Sequence, residues 1–300
     1  MYTIFEGSAT AIITPMNSDG SIAYQKMEEL LEYQISHHTD AIVVAGTTGE
    51  SACLSDEEHF QLIQFTCNVV KHRIPVIAGA GSNHTKHAQT LCENAEKAGA
   101  DALLLVTPYY NKCSQKGLIA HYQACANVSK LPFILYNIPS RTGMNILPET
   151  YEELLDIPNI LAVKEASGNF SQLAKLTSRY RDRLTIYCGN DDQAVSALAI
   201  GAKGVISVLS NLCPDVVSEL CHSFFCGNAQ RSEQIQLAYE ALLEALTSDI
   251  NPVPVKTAMN LMGLKVGPCR LPLYPMDTAL TEQLRNCLKT YHLIPETSSI

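Results

Sequence analysis

The chain has no tryptophan, and only 17% of its 300 residues are charged. The missing indoles argue against a carbohydrate or peptide platform built on them. Positive charge is scarce as well. Lys and Arg number 21 against 30 Asp and Glu, a formal charge of −9. Nucleic-acid and anionic-membrane binders need clustered positive charge, so both classes are excluded as expectations. No apolar run approaches the ~20 residues of a membrane helix. The N-terminal stretch MYTIFEGSATAIITP has no basic region followed by an apolar core, so it does not read as a signal peptide. No P-loop occurs, and Gly79-Ala-Gly81-Ser-Asn-His84 has His where a dinucleotide fingerprint needs its third Gly.

Hydrophobic residues reach 46%, which supports a large core and excludes disorder. The 11 cysteines form no CxxC pair and no Cys/His cluster of zinc spacing. Cys53, Cys67, Cys92, Cys125, Cys188 and Cys221 lie inside apolar periodic segments. They read as free packing thiols in a reducing cytoplasm. His84 and His87 share a helix start but lack a third ligand, so no metal site is expected.

Short, nearly continuous apolar runs recur at residues 9–14, 41–45, 76–78, 103–106, 133–136, 161–163, 184–187 and 204–208. Strands buried on both faces read this way. Helical patterns separate them, at 23–37, from Ser55 onward, 85–98, 115–128, 148–155, 170–180 and 193–200. Ser55 and Glu58 have capping-box spacing, and the buried face of that helix is predicted as Phe60, Ile63, Cys67 and Val70. Asn190 reads as a helix N-cap. Gly99 and Gly201 read as helix-ending glycines. Eight strand–helix alternations predict an α/β fold, a TIM (β/α)8 barrel. After Leu209 the pattern is helical throughout, at 214–225, 229–246, 253–262 and 278–291. The expected organisation is a barrel over 1–226 and a C-terminal all-helical domain over 227–300, with residues 295–300 loose.

Barrel enzymes work at the C-terminal ends of their strands. Lys164 ends the sixth run, so its stem rises through the barrel centre. Burial disfavours a charged amine, and a neutral amine attacks carbonyls to form a Schiff base. The alternative is a structural ion pair with Glu165 or Asp191. Tyr136 ends the preceding run and can shuttle protons, or simply plug the barrel mouth. Thr47 and Thr48, in a Gly-flanked turn, offer hydroxyls and N–H groups to a carboxylate. Arg141, on the loop after strand five, suits bidentate carboxylate recognition. Cys188 lies at the barrel mouth, with a packing role expected.

Taken in order, GTTGES (46–51), VTPYYNK (106–112), YNIPSRTG (136–143), VKEASGN (163–169) and GVISV (204–208) resemble the dihydrodipicolinate synthase family. NPVPVK (251–256) in the tail extends the resemblance. This family belongs to the class I, Schiff-base pyruvate aldolases related to N-acetylneuraminate lyase. The resemblance implies condensation of pyruvate with aspartate 4-semialdehyde to 4-hydroxy-tetrahydrodipicolinate, in the diaminopimelate route to lysine. It implies Lys164 as the imine lysine, and Tyr136, Thr47 and Tyr110 as a proton relay, with Tyr110 supplied to a neighbouring subunit. It implies Thr48 for the pyruvate carboxylate, Arg141 for the semialdehyde carboxylate, and Gly189 and Ile206 as backbone lining of the pocket. The imine serves as electron sink, so no metal or organic cofactor is implied. A homotetramer of tight dimers in the cytoplasm is implied too. Ser51, Ala52, His59, Asn83 and Tyr109 match a lysine-inhibition site, while Asp56 and His87 depart from the lysine-sensitive pattern, which leaves inhibition open. Two other readings stand beside this one: a sialic acid or 2-keto-3-deoxy sugar acid aldolase, which Arg141 and GTTGE disfavour, and a non-catalytic barrel.

Overall fold

The computed structural model describes residues 3–296. Strands and helices alternate from the start: β1 (Gly7–Ala11), α1 (Tyr24–Ser36), β2 (Ala41–Val44), α2 (Asp56–Val70), β3 (Val76–Gly79), α3 (Thr85–Lys97), β4 (Ala102–Val106) and α4 (Gln115–Ala126). The second half brings β5 (Phe133–Asn137), α5 (Pro139–Thr142), α6 (Tyr151–Leu154), β6 (Ile160–Glu165), α7 (Phe170–Tyr180), β7 (Thr185–Cys188), α8 (Ala194–Ile200), β8 (Gly204–Ser207) and α9 (Pro214–Phe225). Four helices follow: α10 (Ala229–Ala238), α11 (Glu240–Leu246), α12 (Val253–Leu261) and α13 (Thr278–Thr290). All strands pair in parallel, and β1 also pairs with β8, Ala9 opposite Ile206, which closes the barrel. The fold is the expected TIM barrel with a helical C-terminal region.

Alternation along each strand sorts the apolar residues into two layers. Ala9, Ala41, Val43, Leu104, Ile134, Ala162 and Ile206 fill the barrel interior. Their neighbours Ile42, Val44, Leu103, Leu105, Leu135 and Val163 pack outward against the helices. Inward and outward faces are both buried, which is why the strands lack polar alternation. Phe5 stacks on Tyr187 with ring centroids 4.1 Å apart, and the Tyr187 hydroxyl donates to the Phe5 carbonyl.

Local chemistry sets several ends. The Ser55 hydroxyl accepts from the Glu58 N–H while the Glu58 carboxylate accepts from the Ser55 N–H, completing the expected capping box. Gly99 and Gly201 adopt φ of +93° and +123°, the positive-φ geometry that ends α3 and α8.

Other expectations need correction. The 229–246 segment is two helices, α10 and α11, broken at Tyr239, because its apolar residues face two different neighbours. The buried face of α2 is His59, Leu62, Ile63, Thr66 and Val70, with Phe60 and Cys67 only half-buried. The first strand starts two residues earlier than its apolar run, since Gly7 and Ser8 are buried in the ladder despite their small or polar side chains. Cys53 and Cys67 are partly exposed; Cys92, Cys125, Cys188 and Cys221 are buried, and all 11 cysteines are free thiols. Asn190 precedes a 3-10 turn without capping it; its amide donates to Gln193 instead. Residues 297–300 of the expected loose end lie outside the described residues.

Candidate active site

Strand β6 alternates Ala162, Lys164 and Ala166 toward the barrel interior, so two small residues flank the lysine stem. Lys164 is 5% exposed. In the sheet register it stands beside Tyr136 on β5, and its Nζ lies 4.4 Å from the centre of the Tyr136 ring. That contact holds the amine over a π face, a favourable place for a cation. Gly189, at the exit of β7, makes the room: a Cβ there would stand 2.9 Å from Lys164 Cε and 2.7 Å from the Ala166 methyl.

The two carboxylates that could have locked Lys164 into an ion pair are engaged elsewhere. Glu165 accepts from the Asn137 and Gln172 amides and from the Ser167 N–H. Asp191 accepts from the N–H groups of Val208 and Leu209. Desolvation raises the Asp191 carboxyl above the usual range, partly offset by those donors. Among the described residues Lys164 has no salt-bridge partner.

A cavity of about 350 Å³ opens over the lysine, lined by Thr47, Thr48, Tyr136, Arg141, Lys164 and Gly189 among others. Six of the eight catalytic and substrate-binding residues expected from sequence thus meet in one place. Thr48 is buried, and its hydroxyl accepts from the Asn251 amide at 3.0 Å. A hydroxyl that accepts there has its own proton left to donate. The Thr47 and Thr48 N–H groups have no backbone acceptor among the described residues. Arg141 sits at the mouth on the short helix α5, not on an irregular loop, and donates to the Asn251 carbonyl. Four residues started by Pro139 are too short a helix to read from periodicity.

Two expected residues lie elsewhere. Ile206 is fully buried in the barrel interior, and the wall of the cavity carries Val208 from the same strand end. Tyr110 is 90% exposed, in a positive-φ conformation of +69°, and lies outside its own cavity. Cys188 packs in the outer layer and does not line the cavity. Asn251 was missed as a site residue because it precedes a tail helix, 203 residues from Thr48; its place in NPVPVK was the one signal available.

An adjoining cavity of about 560 Å³ shares Thr47, Ile138, Arg141 and Asn251 with the first. It is lined by Ser51, Ala52, His59 and Tyr109, together with Asp56 and His87. Asn83 is not on its wall; its carbonyl accepts from the Asn111 amide. His87 Nε2 lies 2.8 Å from the Asp56 carboxylate, and the other ring nitrogen meets Ser82. Burial holds His59 below the usual histidine range.

A buried, unpaired amine beside a phenol, faced by hydroxyl and guanidinium donors inside a closed barrel, defines a barrel lyase of the class I aldolase type. Comparison with known proteins narrows the class. Residues 4–291 match the Dihydrodipicolinate synthetase family. The 4-hydroxy-tetrahydrodipicolinate synthase 1 of Clostridium acetobutylicum is 49% identical over 97% of this chain and 99% of its own. A solved structure of the chloride-inhibited dihydrodipicolinate synthase from Acinetobacter baumannii, complexed with pyruvate, superposes with a TM-score of 0.95 at 42% identity, covering 97% of this chain and 100% of that one. The enzyme from Cyanidioschyzon merolae with lysine bound has a TM-score of 0.94 at 38% identity, covering 98% and 100%. The chain belongs to the dihydrodipicolinate synthetase family.

Proposed function

We propose that this chain condenses pyruvate with aspartate 4-semialdehyde through an imine on Lys164. The observation that carries the assignment is the unpaired, buried Lys164 amine set between Tyr136 and the Thr47–Thr48 turn. The amine adds to the ketone carbon of pyruvate, and the carbinolamine loses water to give the imine. A methyl proton then leaves to form the enamine, whose carbon adds to the aldehyde. The amino group of the semialdehyde portion displaces Lys164, so the cyclic 4-hydroxy-tetrahydrodipicolinate departs and the amine is restored. Thr48 and the adjacent N–H groups receive the pyruvate carboxylate, and Arg141 at the mouth receives that of the semialdehyde. Tyr136 and Thr47 carry protons. Tyr110 completes the relay from a neighbouring subunit, and its exposure away from its own cavity supports that role. The assembly is a homotetramer of tight dimers.

On this reading residues 1–226 are the catalytic barrel and 227–300 a helical domain that buttresses its mouth. The adjoining cavity is the place for regulatory lysine. Asp56, an anionic group on its wall, is already held by His87. No helix among the described residues is long and apolar enough to cross a membrane. The free thiols support a reducing cytoplasm.

Borohydride reduction in the presence of pyruvate, followed by peptide mass analysis, tests the central claim. The expected product is a pyruvyl adduct on the Lys164 peptide, absent from Lys164→Ala. An enzyme that turns over with no such adduct would refute the mechanism. Arg141→Ala should retain trapping by pyruvate while KM for aspartate 4-semialdehyde rises about tenfold or more, as for loss of a charged hydrogen-bond partner. An unchanged KM would remove the semialdehyde assignment.

A further inference from the structure

One buried ion pair takes no part in this chemistry. Lys256 on α12 and Glu50 after β2 are 2% and 0% exposed, with Lys256 Nζ 2.7 Å from Glu50 Oε1. Such a pair is a weak stabilising device, because desolvation of both charges offsets their attraction. Its position is more informative than its strength. Glu50 is the last residue of the turn Gly46–Glu50 that presents Thr47 and Thr48.

The pair reaches that turn by two routes. Along the first, the Glu50 N–H donates to the Thr47 carbonyl at 3.1 Å, while its carboxylate takes Lys256 on one oxygen and the Arg270 N–H on the other. Along the second, Lys256 donates to the Thr14 carbonyl, and the Thr14 hydroxyl donates to the Gly49 carbonyl at 2.7 Å. The third Lys256 proton goes to the Pro268 carbonyl, so the ammonium is fully committed. The turn needs holding. Ala45 and Glu50 adopt φ of +52° and +57°, conformations that non-glycine residues keep only where the surroundings enforce them.

We propose that Glu50 and Lys256 are positioning residues for pyruvate: the tail, through one ammonium, fixes the turn whose Thr48 hydroxyl and N–H groups grip the pyruvate carboxylate. This rests on the assignment of Thr48 and the adjacent N–H groups to the pyruvate carboxylate. Arg141 receives no bond from either residue, so the effect falls on pyruvate more than on the second substrate.

The test compares Lys256→Met, Glu50→Gln and the double variant Glu50→Gln/Lys256→Met with Thr48→Val. Removing one charge strands the other, so Lys256→Met alone can fail to fold; the double variant leaves no buried charge unpaired. The double variant is expected to fold. Its half-saturation for pyruvate should rise about tenfold, both in turnover and in borohydride trapping without the second substrate, as for one weakened hydrogen bond to a charged group. KM for aspartate 4-semialdehyde should change less than about twofold, being set at Arg141. Thr48→Val should also raise the pyruvate half-saturation. A merely structural pair would reduce the amount of active enzyme and leave half-saturation unchanged, and that result in the double variant and in Glu50→Gln overturns the proposal. If Thr48→Val shows the rise and the double variant does not, only the positioning role falls. If Thr48→Val shows no rise, the pyruvate assignment of the turn falls, and the proposal with it.

Discussion

The proposed imine lysine, Lys164, is defined as much by its neighbours' commitments as by its own place. Glu165 and Asp191 are within its surroundings, yet each accepts from other donors, and among the described residues neither forms a salt bridge with the amine. Gly189 contributes by absence. A methyl at that position would press on Lys164 Cε and on Ala166 at less than van der Waals distance. Gly189→Ala is therefore expected to lower kcat about a hundredfold by displacing the amine, with far-ultraviolet circular dichroism unchanged. Full activity in that variant would mean that the stem has another course. The place of Lys164 and Tyr136 at the barrel centre was legible in the sequence because each ends an apolar run, and barrel enzymes work at the C-terminal ends of their strands. The hydrogen bond from Asn251 to Thr48 was not, because nothing local links residues 203 apart.

Among elements, α2 shows how a helix can be tied at its start and still be misread in its face. Its capping box is local and could be recognised from four residues. Its buried stripe is set by what packs on it, and His59 takes an inner position because its Nε2 meets the Gly79 carbonyl. The same helix start carries Glu58, paired with Arg270 from the segment between α12 and α13. The Arg270 guanidinium draws the Glu58 carboxyl from its usual 4.5 down to about 2. A depressed folded-state value stabilises the fold above the unfolded value and is lost as acid protonates the group. The stability gap between the protein and Arg270→Gln should thus be full above pH about 5 and shrink steadily toward pH about 2, in chemical denaturation at each pH. A gap that widens on acidification would contradict the pairing. Helices α7 and α9 had the boundaries their apolar periods announced, and β2 to β8 fell within two residues of their apolar runs, whereas β1 was displaced toward Gly7. The short α5 and the break between α10 and α11 did not announce themselves, since four residues define no period and a change of neighbour leaves no local mark.

At the scale of the molecule, Tyr110 poses the question of completeness. It stands in the solvent of its own subunit, 90% exposed, although the proposed relay needs it beside a lysine. Mixing two separately inactive variants decides between cis and trans. Tyr110→Phe and Lys164→Ala should each lose activity, about a hundredfold for the missing relay proton. Subunit exchange between them should recover activity, because one site of each hybrid pair then holds an intact lysine and an intact partner tyrosine. No recovery after verified exchange would place Tyr110 in its own subunit's chemistry, or in none. The barrel, the tail and the lysine were readable from sequence; what binds barrel to tail was not. That connection has a temporal side. Glu50 leaves the ribosome some two hundred residues before Lys256, its counter-ion, is made. Until the tail emerges, the nascent barrel carries a carboxylate that must stay in water, and the turn it terminates stays unset. If the pair positions the turn as proposed, the order of synthesis withholds a pyruvate-ready pocket from any chain that still lacks Lys256.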